Sequence, residues 1–228
     1  MQTFSYIKEL KQKIINKYSK NETPKIIMID GGVGVGKTTL IRGLKNVFRK
    51  EDGIRVDEEY YEGHSMGSTK LSQYLNNQIS QYDFQLFILN YWESTLNWNK
   101  QFRPYLMIFE RTPIACEAFM NNNMSLIEKS EVIYRASQLM KENDMDKITY
   151  VEISEENNNL INVLETILET DGNILIFLSP SFKTQWKRYI SRGRLEENYS
   201  EPQMLNFNNS LRNIYLNNST GIFREKIN

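Results

Sequence analysis

Short apolar runs and helical periodicities alternate along the chain. Residues 25–29, Lys-Ile-Ile-Met-Ile, are almost wholly apolar and stop at Asp30-Gly31-Gly32. Such a run predicts a strand buried on both faces that enters a tight turn. From residue 37 to 48 the apolar positions Leu40, Ile41, Leu44 and Phe48 recur at helical spacing. Further strands are expected over 53–57, 105–109, 148–154 and 174–178, and helices over 71–79, 82–92, 113–120, 125–143, 160–170 and 182–190. At the N-terminus, Phe4, Ile7, Leu10 and Ile14 or Ile15 fall on one face of a basic amphipathic helix, which reads as packed on the domain. Strands alternating with helices imply an α/β fold, a parallel sheet covered on both faces, in one domain spanning 1–228.

Composition narrows the function classes. With 228 residues, 40% of them hydrophobic, the chain is long enough for one substantial core. Twenty-eight basic residues balance twenty-eight acidic ones, so no long-range positive field exists to hold a nucleic-acid polymer or a membrane surface. Cys116 is the only cysteine and His64 the only histidine, which excludes an internal disulfide and a Cys/His zinc site. A reducing compartment, the cytoplasm, fits. No apolar stretch nears the ~20 residues that span a bilayer, and the N-terminus lacks the apolar core of a signal peptide. The asparagine runs 121–123 and 157–159 read as solvated loops.

The turn after the first strand carries chemistry. Gly31-Gly32-Val33-Gly34-Val35-Gly36-Lys37-Thr38 satisfies G-x-x-x-x-G-K-[ST], with an apolar strand before it and an amphipathic helix after it. Glycines admit backbone angles that let amide N–H groups turn inward on phosphates. In this arrangement residues 31–39, ending in Thr38-Thr39, bind ATP. Lys37 reaches the β- and γ-phosphates, and the Thr38 hydroxyl faces Mg²⁺.

Three segments in chain order resemble the deoxynucleoside kinases, the family of the non-zinc thymidine and deoxycytidine kinases and the herpesvirus thymidine kinases. They are the phosphate loop, the segment Phe109-Glu110-Arg111-Thr112-Pro113-Ile114-Ala115, and the arginine-rich segment Arg188-Tyr-Ile-Ser-Arg192-Gly-Arg194-Leu-Glu196-Glu197. The resemblance implies a P-loop kinase fold of three layers, a five-stranded sheet and a mobile lid over about 188–200. It also implies ATP and Mg²⁺, a deoxynucleoside acceptor and a homodimer. A phosphoryl group in flight needs cations that close around it, and Arg188, Arg192 and Arg194 suit that task.

By the same resemblance, Glu110 helps hold Mg²⁺ and Arg111 orients the base and the accepting 5′-hydroxyl. A carboxylate must accept the hydroxyl proton. The segment Val56-Asp57-Glu58-Glu59-Tyr60 aligns Glu58 with that base, although the family's following proline is missing; Glu59 stays open, and Asp57 less so. Gln85 matches the base-reading glutamine. Tyr74 and Glu197 match the pair that shares the sugar 3′-hydroxyl, and Phe119 or Met120 the ring that covers the base. Cys116 stands where a small residue leaves room for a thymine methyl, which favours thymidine. The aromatic expected after the acidic segment is contested among Tyr60, Tyr61 and His64.

The family's last strand and terminal helix follow the lid, yet only about thirty residues follow Glu197 here. The segment 148–154 is therefore expected to supply the fifth strand from within the chain, with 154–159 bracketing adenine. Thymidylate kinases share a phosphate loop and arginine lid but need extra cations for the acceptor's phosphate. A nucleotide-binding regulatory protein without turnover is a third reading.

Overall fold

The structure, a computed structural model, describes residues 2–59, 65–120, 123–145, 147–154, 160–192, 199–217 and 223–227. Six parallel strands build one sheet: β1 (Lys25–Gly31), β2 (Ile54–Asp57), β3 (Leu106–Glu110), β4 (Ile148–Ile153), β5 (Asn173–Leu178) and β6 (Phe223–Ile227), in the order β2-β3-β1-β5-β4-β6. The five expected strands fill the first five places. The segment assigned to the fifth place occupies it, since β4 pairs with β5 from Ile148–Asn173 to Ile153–Leu178. Two elements go beyond the sequence reading. The tail judged too short for a strand and helix still contributes β6 along the outer edge of β4, and a long helix, Glu201–Asn217, precedes it.

The central strands are apolar throughout because both faces are covered. Ile26 and Met28 of β1 pack against α4 (Gln81–Lys100) and α6 (Leu126–Glu142), whereas Ile27 and Ile29 face α2 (Lys37–Val47) and α7 (Leu160–Glu169). Each such fully buried side chain contributes about 1.5–3 kcal/mol before entropy is counted. Local signals set the helix starts. Ser80 and Ser125 cap α4 and α6, and Ser125 with Glu128 forms a complete capping box.

The N-terminal helix α1 (Gln2–Tyr18) packs against α7, as its periodicity implied, but on a slightly rotated face. Leu10, Ile14 and Tyr18 are buried, while Phe4 remains 65% exposed. The seam closes on Lys25 at the start of β1, whose Nζ donates to Tyr18 Oη at 2.6 Å and to the Thr170 carbonyl. Burial, and next the neighbouring Lys17 charge, push Lys25 down to about 7. A lysine lowered in the folded state leaves the unfolded chain binding more protons, so stability rises as pH climbs from about 7 toward the unfolded lysine value. Lys25→Met is expected to abolish that increment. In urea melts the wild type should gain on the variant between pH 7 and 10, and parallel curves would refute the assignment.

One feature of the connections positions the site. β1 sends its helix α2 to one face, while β3 and β5 on either side send their chain to the other. Crevices therefore open beside the carboxyl end of β1, where open α/β sheets take ligands. Among the described residues, no helix is long and apolar enough to cross a membrane.

Candidate active site

The phosphate loop runs from the end of β1 into α2. Gly34 and Gly36 take φ of 77° and 99°, which a side chain would resist, and a Cβ on Gly34 would stand 2.5 Å from the Gln185 carbonyl. Lys37 folds back over the loop, its Nζ donating to the carbonyls of Gly31 and Gly32 at 2.9 Å each. Burial, and next the Arg111 charge, push its ammonium down to about 8. The negative charge of a bound phosphate would offset that cost.

Strand β3 delivers Glu110 and Arg111 beside the loop. The Thr38 hydroxyl donates to Glu110 Oε1 at 3.0 Å, which ties the start of α2 to the end of β3. Burial, and next the charge on Glu59, push Glu110 above the usual carboxylate range. Arg111 takes a left-handed φ of 72°, turning its side chain back across the carboxyl end of the sheet. Its Nε donates to Glu59 Oε1 at 2.6 Å and its Nη1 to Asp30 Oδ1 at 3.2 Å, with the Phe119 ring 5.0 Å from its guanidinium. Asp30 and Glu59 are both buried, and one arginine supplies an ion-pair partner to each of them.

The geometry separates the two glutamates expected to compete for the role of base. Glu58 turns toward α2, where Lys45 Nζ donates to it at 2.7 Å and Arg42 lies 3.9 Å away. Glu59 turns inward onto Arg111 instead, and its Oε2 is buried without a hydrogen-bond partner. The reason is the end of β2. Asp57 is held by Asn99 of α4, so the two residues after it fall on opposite sides of the chain.

A cavity of about 580 Å³ opens in front of Glu59, Glu110 and Arg111. Five of the expected substrate residues line it together: Tyr74, Gln85, Cys116, Phe119 and Met120. Gln85 is 1% exposed and its Oε1 has no hydrogen-bond partner, which leaves one amide oxygen unsatisfied among the residues that line the cavity. Tyr74, from α3 (Ser65–Leu75), stacks on Phe84 at 4.7 Å and accepts a hydrogen bond from Gln81 at 3.3 Å. Gln81 also donates to the Phe119 carbonyl, joining the two walls. The Cys116 thiol, on α5 (Cys116–Phe119), is raised by burial and is no nucleophile. Gln81, Ile88 and Trp92 share the helix face of Gln85, at spacings of four, three and seven residues. That periodicity was available in the sequence and points to all three as further lining residues.

The first part of the segment expected to form a lid falls on α8 (Phe182–Arg192). Arg188 Nη1 already donates to the Val35 carbonyl of the loop at 3.1 Å, and Arg192 is exposed at the helix end. Arg194 and Glu197 lie outside the described residues, as do Tyr60, Tyr61, His64 and all of 154–159 except Ser154. The helix α9 (Glu201–Asn217) contributes Gln203 and Phe207 to the cavity, with Tyr199 just before it. Its start carried a legible signal, since Ser200 and Gln203 stand at capping-box spacing and the Gln203 side chain accepts from the Ser200 N–H at 2.9 Å.

No known family's sequence profile matches the chain, and no curated protein does. Solved structures do match. The deoxyadenosine kinase of M. mycoides, determined with bound dATP, aligns at a TM-score of 0.52 and 21% identity, over 90% of this chain and 90% of that one. The fold is that of the P-loop kinases. The parallel sheet, its helical covers and the loop after β1 all conform to it.

Proposed function

We propose that this protein is a deoxynucleoside kinase. It transfers the γ-phosphoryl group of ATP to the 5′-hydroxyl of a deoxynucleoside, with thymidine the favoured acceptor. The observation that carries this reading is the placement of Glu59. Glu59 lines a nucleoside-sized cavity with one buried carboxylate oxygen unpartnered and the other on an arginine that adjoins the phosphate loop. Such a carboxylate can accept the proton of an attacking hydroxyl. Arg111 orients it and shields the charge that develops. Arg188 and Arg192, with Arg194 beyond α8, supply positive charge from the lid side.

Thr38 and Glu110 fit a Mg²⁺ ion, because both offer hard oxygen atoms and Glu110 is held above its usual range by burial and a like charge that a cation would relieve. Among the described residues no set of three acidic, histidine or cysteine side chains converges, which suits a metal that takes few protein ligands. When bound, Mg²⁺ would neutralise charge on the phosphates. The resemblance further assigns the enzyme to nucleotide salvage, in the cytoplasm, as a homodimer.

The acceptor is read as a nucleoside rather than a monophosphate for an electrostatic reason. Arg111 is the only lysine or arginine among the described cavity-lining residues, and two carboxylates already engage it. A small neutral Cys116 beside Gln85 leaves room for the thymine methyl. The test is transfer of labelled phosphate from ATP to each of the four deoxynucleosides and to thymidylate. Label on thymidine is expected. Label on thymidylate alone would replace the nucleoside reading, and label on deoxycytidine with none on thymidine would remove the preference. ATP binding without transfer to any acceptor would favour a regulatory protein.

A further inference from the structure

Helix α9 reaches both halves of the candidate site through one face. Met204, Asn208, Leu211 and Tyr215 recur three or four residues apart, and all but Asn208 are buried to within 1%. Midway along that face, Asn208 Oδ1 accepts the Val33 N–H at 3.2 Å, while Asn208 Nδ2 donates to Gln185 Oε1 on α8. The Asn208 carboxamide fills the space of a side chain at Gly32, where an ideal Cβ would stand 1.9 Å from Asn208 Oδ1. The loop thus has, from α9, a polar side chain that it lacks itself.

One turn from its end, α9 reaches the other half. The Tyr215 hydroxyl donates to Asp30 Oδ2, and Thr112 Oγ1 lies 2.9 Å from the same hydroxyl. The single phenolic proton goes to Asp30, so Thr112 donates to Tyr215. Asp30 Oδ1 meanwhile accepts the Gly31 N–H at 2.7 Å and Arg111 Nη1 at 3.2 Å. One buried carboxylate therefore joins the first amide of the donor loop, the acceptor-side arginine and α9.

We propose that Asn208 and Tyr215 are positioning residues through which α9 splints the phosphate loop to Arg111. Asn208 holds the outer side of the loop, so that the amides beyond Val33 keep facing the phosphates. Tyr215 fixes the Asp30 carboxylate, and through it the point from which Arg111 reaches Glu59. Preorganised groups of this kind act on rate and affinity without touching the substrate. The inference rests on the kinase reading for its acceptor half and on the loop alone for its donor half.

Two substitutions separate those halves. Asn208→Gly is expected to weaken ADP binding about tenfold by calorimetric titration and to raise the KM for ATP equally, with the nucleoside KM within about twofold. Tyr215→Phe keeps the ring against Phe177 and removes only the hydroxyl. It is expected to lower kcat about tenfold, with ADP affinity within about twofold. Gly32→Ala alone should lose ADP binding, and adding Asn208→Gly should restore part of it, since the clash partner is then gone. Parallel losses of every parameter in both variants, in step with a fall in Tm, would mean that α9 only adds stability and would overturn the proposal. So would a Gly32→Ala defect unchanged by Asn208→Gly. If the wild type labels no deoxynucleoside, the kinase reading falls, whereas the ADP titrations still decide the splint through its donor half.

Discussion

Glu59→Gln is expected to cut turnover by about 10²–10⁴-fold, the usual contribution of a general base, while Glu58→Gln changes it by less than about threefold. The two neighbours both line the cavity but differ in their cationic partners. Glu59 is 7% exposed, faces Arg111 and keeps one buried oxygen without a hydrogen-bond partner. Glu58, whose side chain is 13% exposed and also lines the cavity, pairs with the more exposed Lys45 on α2, and a pair with that solvent access contributes about 1 kcal/mol or less. Gln preserves the shape and can still pair with Arg111, so loss of turnover with intact folding would mark lost basicity. The measurement is steady-state phosphorylation of thymidine at saturating ATP, beside a melting curve for each variant. If Glu58→Gln abolished turnover and Glu59→Gln did not, the base would be Glu58.

The second large effect concerns stability. Arg111→Met is expected to cost about 3–5 kcal/mol, because it strands buried Asp30 and Glu59 without their shared cation. For a chain of this size, with roughly 2–4 °C per kcal/mol, Tm should fall by about 6–20 °C. The mechanism predicts its own remedy. Asp30→Asn in the same molecule removes one of the stranded charges and should recover part of the loss in a thermal melt. An additive further loss in the double variant would show that the charge argument is wrong and that Arg111 matters by packing on Phe119.

Much of the fold was legible because both covered faces write themselves into the strands. The continuous apolar run at 25–29 and its counterparts at 105–109 and 174–178 allow no one-sided sheet, and the structure buries both of their faces. β4, Ile-Thr-Tyr-Val-Glu-Ile, was legible from its β-branched and aromatic content rather than from a continuous apolar run, and its place beside β5 completes the expected five. α9 and β6 were not. The helix has Asn206, Asn208, Asn209, Asn213 and Asn217 among its residues, so its apolar stripe is diluted and only the Ser200–Gln203 cap and the Met204–Leu211–Tyr215 spacing mark it. β6 is a short edge strand of mixed polarity that pairs with β4 alone, and such a segment carries little periodicity of its own. At the site, Tyr74, Gln85, Cys116, Phe119 and Met120 line one cavity, while Asp30 and Tyr215 carried no motif.

The sequence by itself determined the donor side. A strand, a glycine-rich turn and a helix whose first residues are Lys37 and Thr38 are contiguous in the chain, so local geometry was enough to define the loop that we propose cradles phosphate. It also determined that one carboxylate and one arginine, Glu110 and Arg111, would end β3. Only the tertiary structure decided which carboxylate after β2 faces inward, because Asp57, Glu58 and Glu59 differ in nothing but the direction set by Asn99, Lys45 and Arg111. The same holds for Asp30, whose three hydrogen-bond partners come from residues 31, 111 and 215. No spacing rule links positions so far apart; they meet because parallel strands bring their carboxyl ends to one edge and α9 packs across it.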